Sequence, residues 1–289
     1  MNTEVVSDKF YTGRYDRVFK KIFVNESDYH LMEALLSECL ESKVKVIKYL
    51  YPELPVENVN EKEKKLDVLV EIEGRRVIVE LNTEGSGIRL RNFNYFTSYY
   101  SSRVERGEEY RGNKTEYILI DLSYNLSKNS PIKREYYVED SEGNKYVENF
   151  KIIEFNMDKI TNLCYDEFER GEREQYRYLM MLDLDKKKLD EVSKKDDIVK
   201  EYMDKVVKLN NDKDFKYAIS AEEDARLTRK LLEDYAKEEG IKEGIKEGLA
   251  EGRKAEKIEI AKELLKNKVD MNIIASSTGL SPEEIEKLK

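Results

Sequence analysis

Apolar and polar positions alternate most cleanly in the stretch LDVLVEIEGRRVIVELN, which ends at Asn82. Leu66, Val68, Val70 and Ile72 fall on one side of an extended chain. After Glu73-Gly74 the alternation resumes with Val77, Val79 and Leu81. Two period-two runs around a glycine turn predict a β-hairpin with one dry face. EYILIDL, Glu116 to Leu122, reads as a further strand. Glu135 to Val138 and Lys145 to Phe155 read as a second hairpin, turned by Asp140-Ser141-Glu142-Gly143-Asn144.

Helical spacing dominates elsewhere. Phe19, Phe23, Leu31, Leu35, Leu36 and Leu40 predict one or two helices with a break near Asn25-Glu26-Ser27. Lys45 to Leu50 fits a strand or a helix end equally well. Ile88 to Val104 carries aromatics at helical spacing and predicts a helix packed on the sheet. Leu163, Phe168, Leu179, Leu182, Val199, Tyr202 and Val206 mark amphipathic helices in a charged background. The expected organisation is a domain at 10–155, a helical region at 156–235 and a tail at 236–289. In that tail Gly240, Gly244, Gly248 and Gly252 recur every four residues. Glycine weakens a helix by about 1 kcal/mol per residue relative to alanine. At i, i+4 spacing it also makes a bare stripe on which two backbones can approach, as small-residue faces do in membranes. Self-association through this helix is the expectation, with a flexible charged linker as the alternative. Near the end, Gly279 stops one short helix and Ser281-Pro282-Glu283-Glu284 starts another, a helix-turn-helix-like unit. Such a unit is too small to fold alone and suits docking on a partner subunit or touching DNA.

Composition narrows the chemistry. Charged residues make up 39% of the 289, more than the roughly 25% of an average soluble chain, so one core cannot run through all of it. No apolar run is long enough to span a membrane, and MNTEVVSDKFYTGRYD lacks the apolar stretch of a secretory leader. Cys39 and Cys164 offer no disulfide framework or metal spacing, which fits a reducing cytoplasm. With His30 as the sole histidine, a Ser-His-Asp triad or a multi-histidine zinc site is hard to build. His30 reads as a packing or surface residue and Cys39 as core. Carboxylates, lysines, tyrosines and a metal ion are left to do any chemistry.

The hairpin offers such a site. A two-residue turn at Glu73-Gly74 pairs Ile72 with Arg75 and sets Asp67 opposite Glu80, with Cβ atoms about 4.5–5.5 Å apart. A register shifted by two would set Asp67 opposite Asn82. Either way Asp67, Glu80 and Asn82 share a face. Facing carboxylates repel unless something compensates, and a divalent cation does so. Carboxylate and carbonyl oxygens suit Mg²⁺ or Mn²⁺, which polarise phosphoryl oxygens and activate water. An exposed hairpin face carrying ordinary acids is the competing reading.

Several stretches, taken in order, resemble the Rpn family of recombination-promoting nucleases and transposases, within the PD-(D/E)XK nuclease superfamily. Asp16-Arg17-Val18-Phe19-Lys20-Lys21-Ile22-Phe23 is similar to its D-x-x-F-K-x-x-F opening. Leu66-Asp67-Val68 followed by Glu80-Leu81-Asn82 is similar to its D…E-x-Q core. Arg91 to Tyr100 followed by Gly107-Glu108-Glu109-Tyr110 is similar to its R-x-x-x-Y-x-S-x-x-Y…G-x-x-Y segment, and the glycine-repeat tail also looks familial. The resemblance covers nearly the whole chain. It implies an α/β fold: a restriction-endonuclease-like mixed sheet flanked by helices, then a helical region and a helical tail.

It further implies metal-dependent phosphodiester hydrolysis. Asp67 and Glu80 would hold the metal, with the Leu81 carbonyl contributing. Asn82 would stand at the third position, where the superfamily usually has lysine and this family often has glutamine. Asparagine can hydrogen-bond a water but supplies no charge. Asp16 is the candidate for a further acidic ligand through water, with Glu33 and Glu38 as rivals and a helix-start charge as the plain alternative. DNA contact needs cations despite the net charge of −9. Arg89, Arg91, Arg103, Arg106, Arg111 and Lys114 gather with tyrosines in 88–114, although each arginine taken singly reads first as a solvated residue on a core helix with buried tyrosines. The expectation is a cytoplasmic, homodimeric, Mg²⁺- or Mn²⁺-dependent DNA endonuclease linked to recombination, transposition or defence, with RNA open as a substrate. The alternative is a weak or inactive nuclease-fold protein acting as a dimerising nucleic-acid-binding module.

Overall fold

The computed structural model describes residues 9–50, 67–83, 89–101, 115–172 and 174–288. The chain opens with α1 (Asp16–Phe23) and α2 (His30–Cys39). Between them the Asn25 side chain accepts the Ser27 N–H at 3.1 Å, a local bond that competes with helix continuation. The expected break therefore falls where a short polar side chain can capture the backbone.

Among the described residues six strands form one sheet: β1 (Val46–Tyr49), β2 (Val68–Ile72), β3 (Arg75–Asn82), β4 (Glu116–Ser123), β5 (Lys133–Tyr136) and β6 (Phe150–Asn156). Their order is β1-β2-β3-β4-β6-β5. β2 and β3 are the expected hairpin, with Ile72 paired to Arg75 and Val68 to Val79. Gly74 turns it at φ +66°, a conformation glycine adopts without a Cβ penalty. β3, β4 and β6 run parallel, and β5 returns antiparallel on β6. The ambiguous segment after Lys45 is the edge strand β1, antiparallel to β2.

Both faces of this sheet are covered, so the hairpin has no wet face. One face carries Val68, Val70, Val77, Val79, Ile118, Ile120 and Phe155, packed in one core with α1 and α2. The other carries Leu69, Ile78, Leu119 and Phe150 beneath Phe96 and Tyr99 of α3 (Arg89–Ser101). Parallel strands buried on both sides read as near-continuous apolar runs, which EYILIDL does.

Four helices follow: α4 (Met157–Glu169), α5 (Arg177–Met180), α6 (Lys186–Ser193) and α7 (Asp197–Asn211). Asn156, Asp185 and Asp196 cap α4, α6 and α7 by accepting first-turn N–H groups. Ile160, Leu182, Val199 and Tyr202 from this stretch join the same core as α1, α2 and the first sheet face. Helices expected as a region of their own after residue 155 thus complete the sheet domain, and this compact unit ends at Ile219.

A second unit begins at Ser220. α8 (Lys213–Lys266) contains the four repeated glycines, and among the described residues nothing beyond the helix's own backbone lies within 4 Å of their Cβ positions. At its end, α9 (Met271–Thr278) and α10 (Pro282–Glu286) fold back on the helix. Ala261, Ile274, Leu280 and Ile285 form their small core. Gly279 ends α9 at φ +71°, and Ser281 and Glu284 make a reciprocal capping box on α10. Among the described residues no helix is long and apolar enough to cross a membrane.

Candidate nuclease site

Asp67 directly precedes β2, and continuing the pairing of Val68 with Val79 by one step sets it beside Glu80 in β3. The two residues interlock. The Asp67 N–H donates to Glu80 Oε1 at 2.8 Å, and the Leu81 N–H donates to Asp67 Oδ2 at 3.0 Å. The register with Asp67 opposite Glu80 therefore holds, and the one opposite Asn82 does not. The Leu81 side chain turns to the other face and joins the main core.

Glu80 is 1% exposed. Burial pushes its pKa up and the Asp67 charge adds to this, with the Asp67 N–H and Arg91 opposing only in part, so the carboxyl lies near 8. Lys20 of α1 stands over Asp67, its Nζ 3.0 Å from Oδ1 and 2.8 Å from Asp16 Oδ1. Asp16 thus reaches the acid pair through Lys20. Its rivals are engaged elsewhere: Glu33 accepts the Val46 N–H and pairs with Lys45, and Glu38 accepts the Tyr178 and Leu179 N–H groups.

The parallel strands extend the acid pair into a row. Glu80 lies opposite Asp121 in β4, Asp121 opposite Glu154 in β6, and Glu154 opposite Arg134 in β5. Each of these three acids is two residues beyond Ile78, Leu119 or Ile152, so all share the α3 face. All three are buried. Asp121 accepts from Ser123 at 2.9 Å and from Asn92 at 3.5 Å. Burial raises its pKa to about 6 against the Ser123 bond, with the Glu154 charge adding to the rise. Glu154 is neutralised by Arg89, which grips it with two hydrogen bonds of 2.7 and 2.8 Å, and Tyr136 Oη donates to it at 3.0 Å.

The expected DNA contacts therefore separate. Arg89 is tied to Glu154 and fastens the start of α3 to the sheet. Arg91 lies 3.9 Å from Glu80 with 46% of its side chain exposed, and stacks near Tyr95. Arg103, Arg106, Arg111 and Lys114 lie outside the described residues, as does Leu66. Asn82 is fully buried, with Nδ2 3.4 Å from Ser123 Oγ. Sequence reasoning missed Lys20, Asp121 and Glu154 as parts of this site. The signal for the two acids was present: each is a lone carboxylate between apolar neighbours, Ile120 and Leu122 or Ile153 and Phe155.

Among the described residues no three His, Cys, Asp or Glu side chains gather into a metal cage. The donors suit a divalent cation in a more open way. Two hard carboxylates face each other, and Glu80 is buried with its charge only partly balanced. Mg²⁺ binds through one or two carboxylates and keeps its waters.

A mixed sheet flanked by helices, with an Asp–Glu pair on a central hairpin, is the PD-(D/E)XK nuclease fold. The comparisons agree: residues 13–239 match the PD-(D/E)XK nuclease family transposase model, and residues 254–289 match the Rpn/YhgA-like nuclease family C-terminal HTH domain. The chain belongs to the PD-(D/E)XK nuclease family transposases. The second match covers the end of α8 with α9 and α10, the helices built around Ile274 and Ile285. No curated protein and no solved structure matches the chain.

Proposed function

We propose that the chain is a metal-dependent DNA endonuclease in which Asp67 and Glu80 hold Mg²⁺ or Mn²⁺, with the Leu81 carbonyl as a further ligand. The observation that carries this reading is the interlocked Asp67–Glu80 pair, whose buried Glu80 is held far above the ordinary carboxylate range. When bound, the cation supplies Lewis-acid polarisation of a phosphoryl oxygen and a more acidic water. The protein's own part is to fix the two carboxylates through each other's backbone and to offer Arg91 to the phosphodiester backbone. Asn82 would hydrogen-bond that water.

The wild-type chain, incubated with supercoiled plasmid, is expected to nick it with Mg²⁺ or Mn²⁺ and not with EDTA. Asp67→Ala should abolish nicking, and full activity in that variant refutes the reading. Binding without cleavage under every metal would favour the second reading, a dimerising nucleic-acid-binding module. The burial of Asn82 against Ser123, away from solvent, is what favours that alternative.

Dimerisation belongs to either reading. Leu231, Tyr235, Ile241, Ile245 and Leu249 are exposed along α8 beside the glycine stripe, an apolar strip that a second copy of the same helix would cover.

A further inference from the structure

Hydrolysis of a phosphodiester adds water across one P–O bond. The attacking oxygen ends on phosphorus, the leaving sugar oxygen ends as a hydroxyl, and negative charge builds on the phosphoryl oxygens in between. Fixed cations aimed at that charge are among the largest contributors to such reactions. Position 82, next to the acid pair, carries an uncharged and fully buried side chain, so a cation has to come from another element.

Lys20 is where the fold supplies one. α1 is anchored by Val18, Phe19, Ile22 and Phe23 in the main core, which holds its polar edge over the start of β2. From there the Lys20 ammonium meets Asp67 Oδ1 at 3.0 Å and Asp16 Oδ1 at 2.8 Å. A lysine ammonium is ordinarily charged at neutral pH, and two carboxylates fix this one in place. An ammonium has three N–H donors, and three carboxylate oxygens lie within 3.0 Å of this one: Asp16 Oδ1 and Oδ2, and Asp67 Oδ1. The side chain is 31% exposed, so a phosphate oxygen arriving from solvent can take over a donor that the two Asp16 oxygens now share.

We propose that Lys20 is the catalytic cation of this site: clamped by Asp16 and Asp67, its ammonium contacts an oxygen of the scissile phosphate and offsets the charge that Asn82 cannot. Lys20 keeps its proton throughout, and Asp16 acts as a positioning residue that holds it. The proposal rests on the endonuclease reading above.

Full-length wild type, Lys20→Met, Lys20→Arg and Asp67→Asn are compared for plasmid nicking with Mn²⁺. Mn²⁺ affinity is measured separately by calorimetry, without DNA. Lys20→Met should slow nicking by about 10²–10³-fold, the usual effect of removing one donor aimed at developing charge. The same variant should bind Mn²⁺ about tenfold more tightly, because a like charge leaves the carboxylates. Lys20→Arg should recover most of the rate. Wild-type nicking by Lys20→Met while Asp67→Asn is inactive overturns the proposal and leaves the endonuclease reading standing. A joint fall in nicking and Mn²⁺ affinity overturns it as well, since Lys20 would then only brace α1. Undamaged nicking by Asp67→Asn, or none by the wild type, removes the endonuclease reading and the Lys20 proposal with it.

Discussion

Replacing Glu80 by glutamine tests the electrostatics of the site without any substrate. The amide keeps an oxygen that accepts the Asp67 N–H, so the interlock of β2 and β3 survives. What is lost is a proton equilibrium. In the folded chain the Glu80 carboxyl lies near 8, against 4.5 as its ordinary value. A carboxyl raised on folding contributes stability that is fully present below the unfolded pKa and is lost as pH rises through the folded one. Between pH 4.5 and about 8 the unfolded state releases a proton that the folded state retains, so wild-type stability falls across that window. At pH 7 the loss is on the order of 3 kcal/mol, or roughly 6–12 °C in melting temperature for a chain of this size. Glu38, raised to about 7, and Asp121, raised to about 6, slope the same way, so the observable is the difference between wild type and Glu80→Gln. That difference should grow in favour of the variant from pH 5 to pH 8 in thermal melts without metal. Added Mg²⁺ should reverse the order at pH 8, since it stabilises only the chain with a carboxylate to bind it. Parallel melting profiles for the two proteins would refute the account of Glu80 as a buried, unbalanced acid.

Other outcomes follow from the same contacts. Arg89→Gln leaves Glu154 buried without its bidentate partner and should cost about 2 kcal/mol by denaturant unfolding. Its effect on DNA affinity should be smaller than that of Arg91→Gln in a filter-binding or anisotropy titration. Ser281→Ala removes half of a capping box and should cost the α9–α10 unit about 1 kcal/mol, read as faster hydrogen exchange confined to residues 271–288. Ile245→Glu, placed on the exposed strip beside the glycines, should turn a dimer into a monomer by light scattering with the melting of the sheet domain unchanged.

What the sequence alone determined is the local structure. The hairpin and the common face of Asp67, Glu80 and Asn82 follow from period-two alternation around Gly74, because strand geometry ties each side chain to a face; the choice of Glu80 over Asn82 as the partner of Asp67 was left to the structure. The break between α1 and α2, the αL stop at Gly279 and the capping box at Ser281 are equally local, each written within a few residues of where it acts. The tertiary structure decided what lies between distant segments. The row Glu80–Asp121–Glu154 exists only because β3, β4 and β6 run parallel and in register, two pairings between residues 41 and 33 apart in sequence that no local pattern encodes. Lys20 reaches Asp67 only because the apolar side of α1 docks on the sheet and leaves its polar edge above the hairpin. Arg89, which composition offered to DNA, is instead bound to Glu154, since a buried carboxylate takes the nearest guanidinium before solvent or a ligand can. Likewise α4–α7 look self-contained as amphipathic helices, yet their apolar stripes have the sheet and the opening helices to pack on. Periodicity says which side of an element must be buried, and the surface that buries it is chosen by the whole fold.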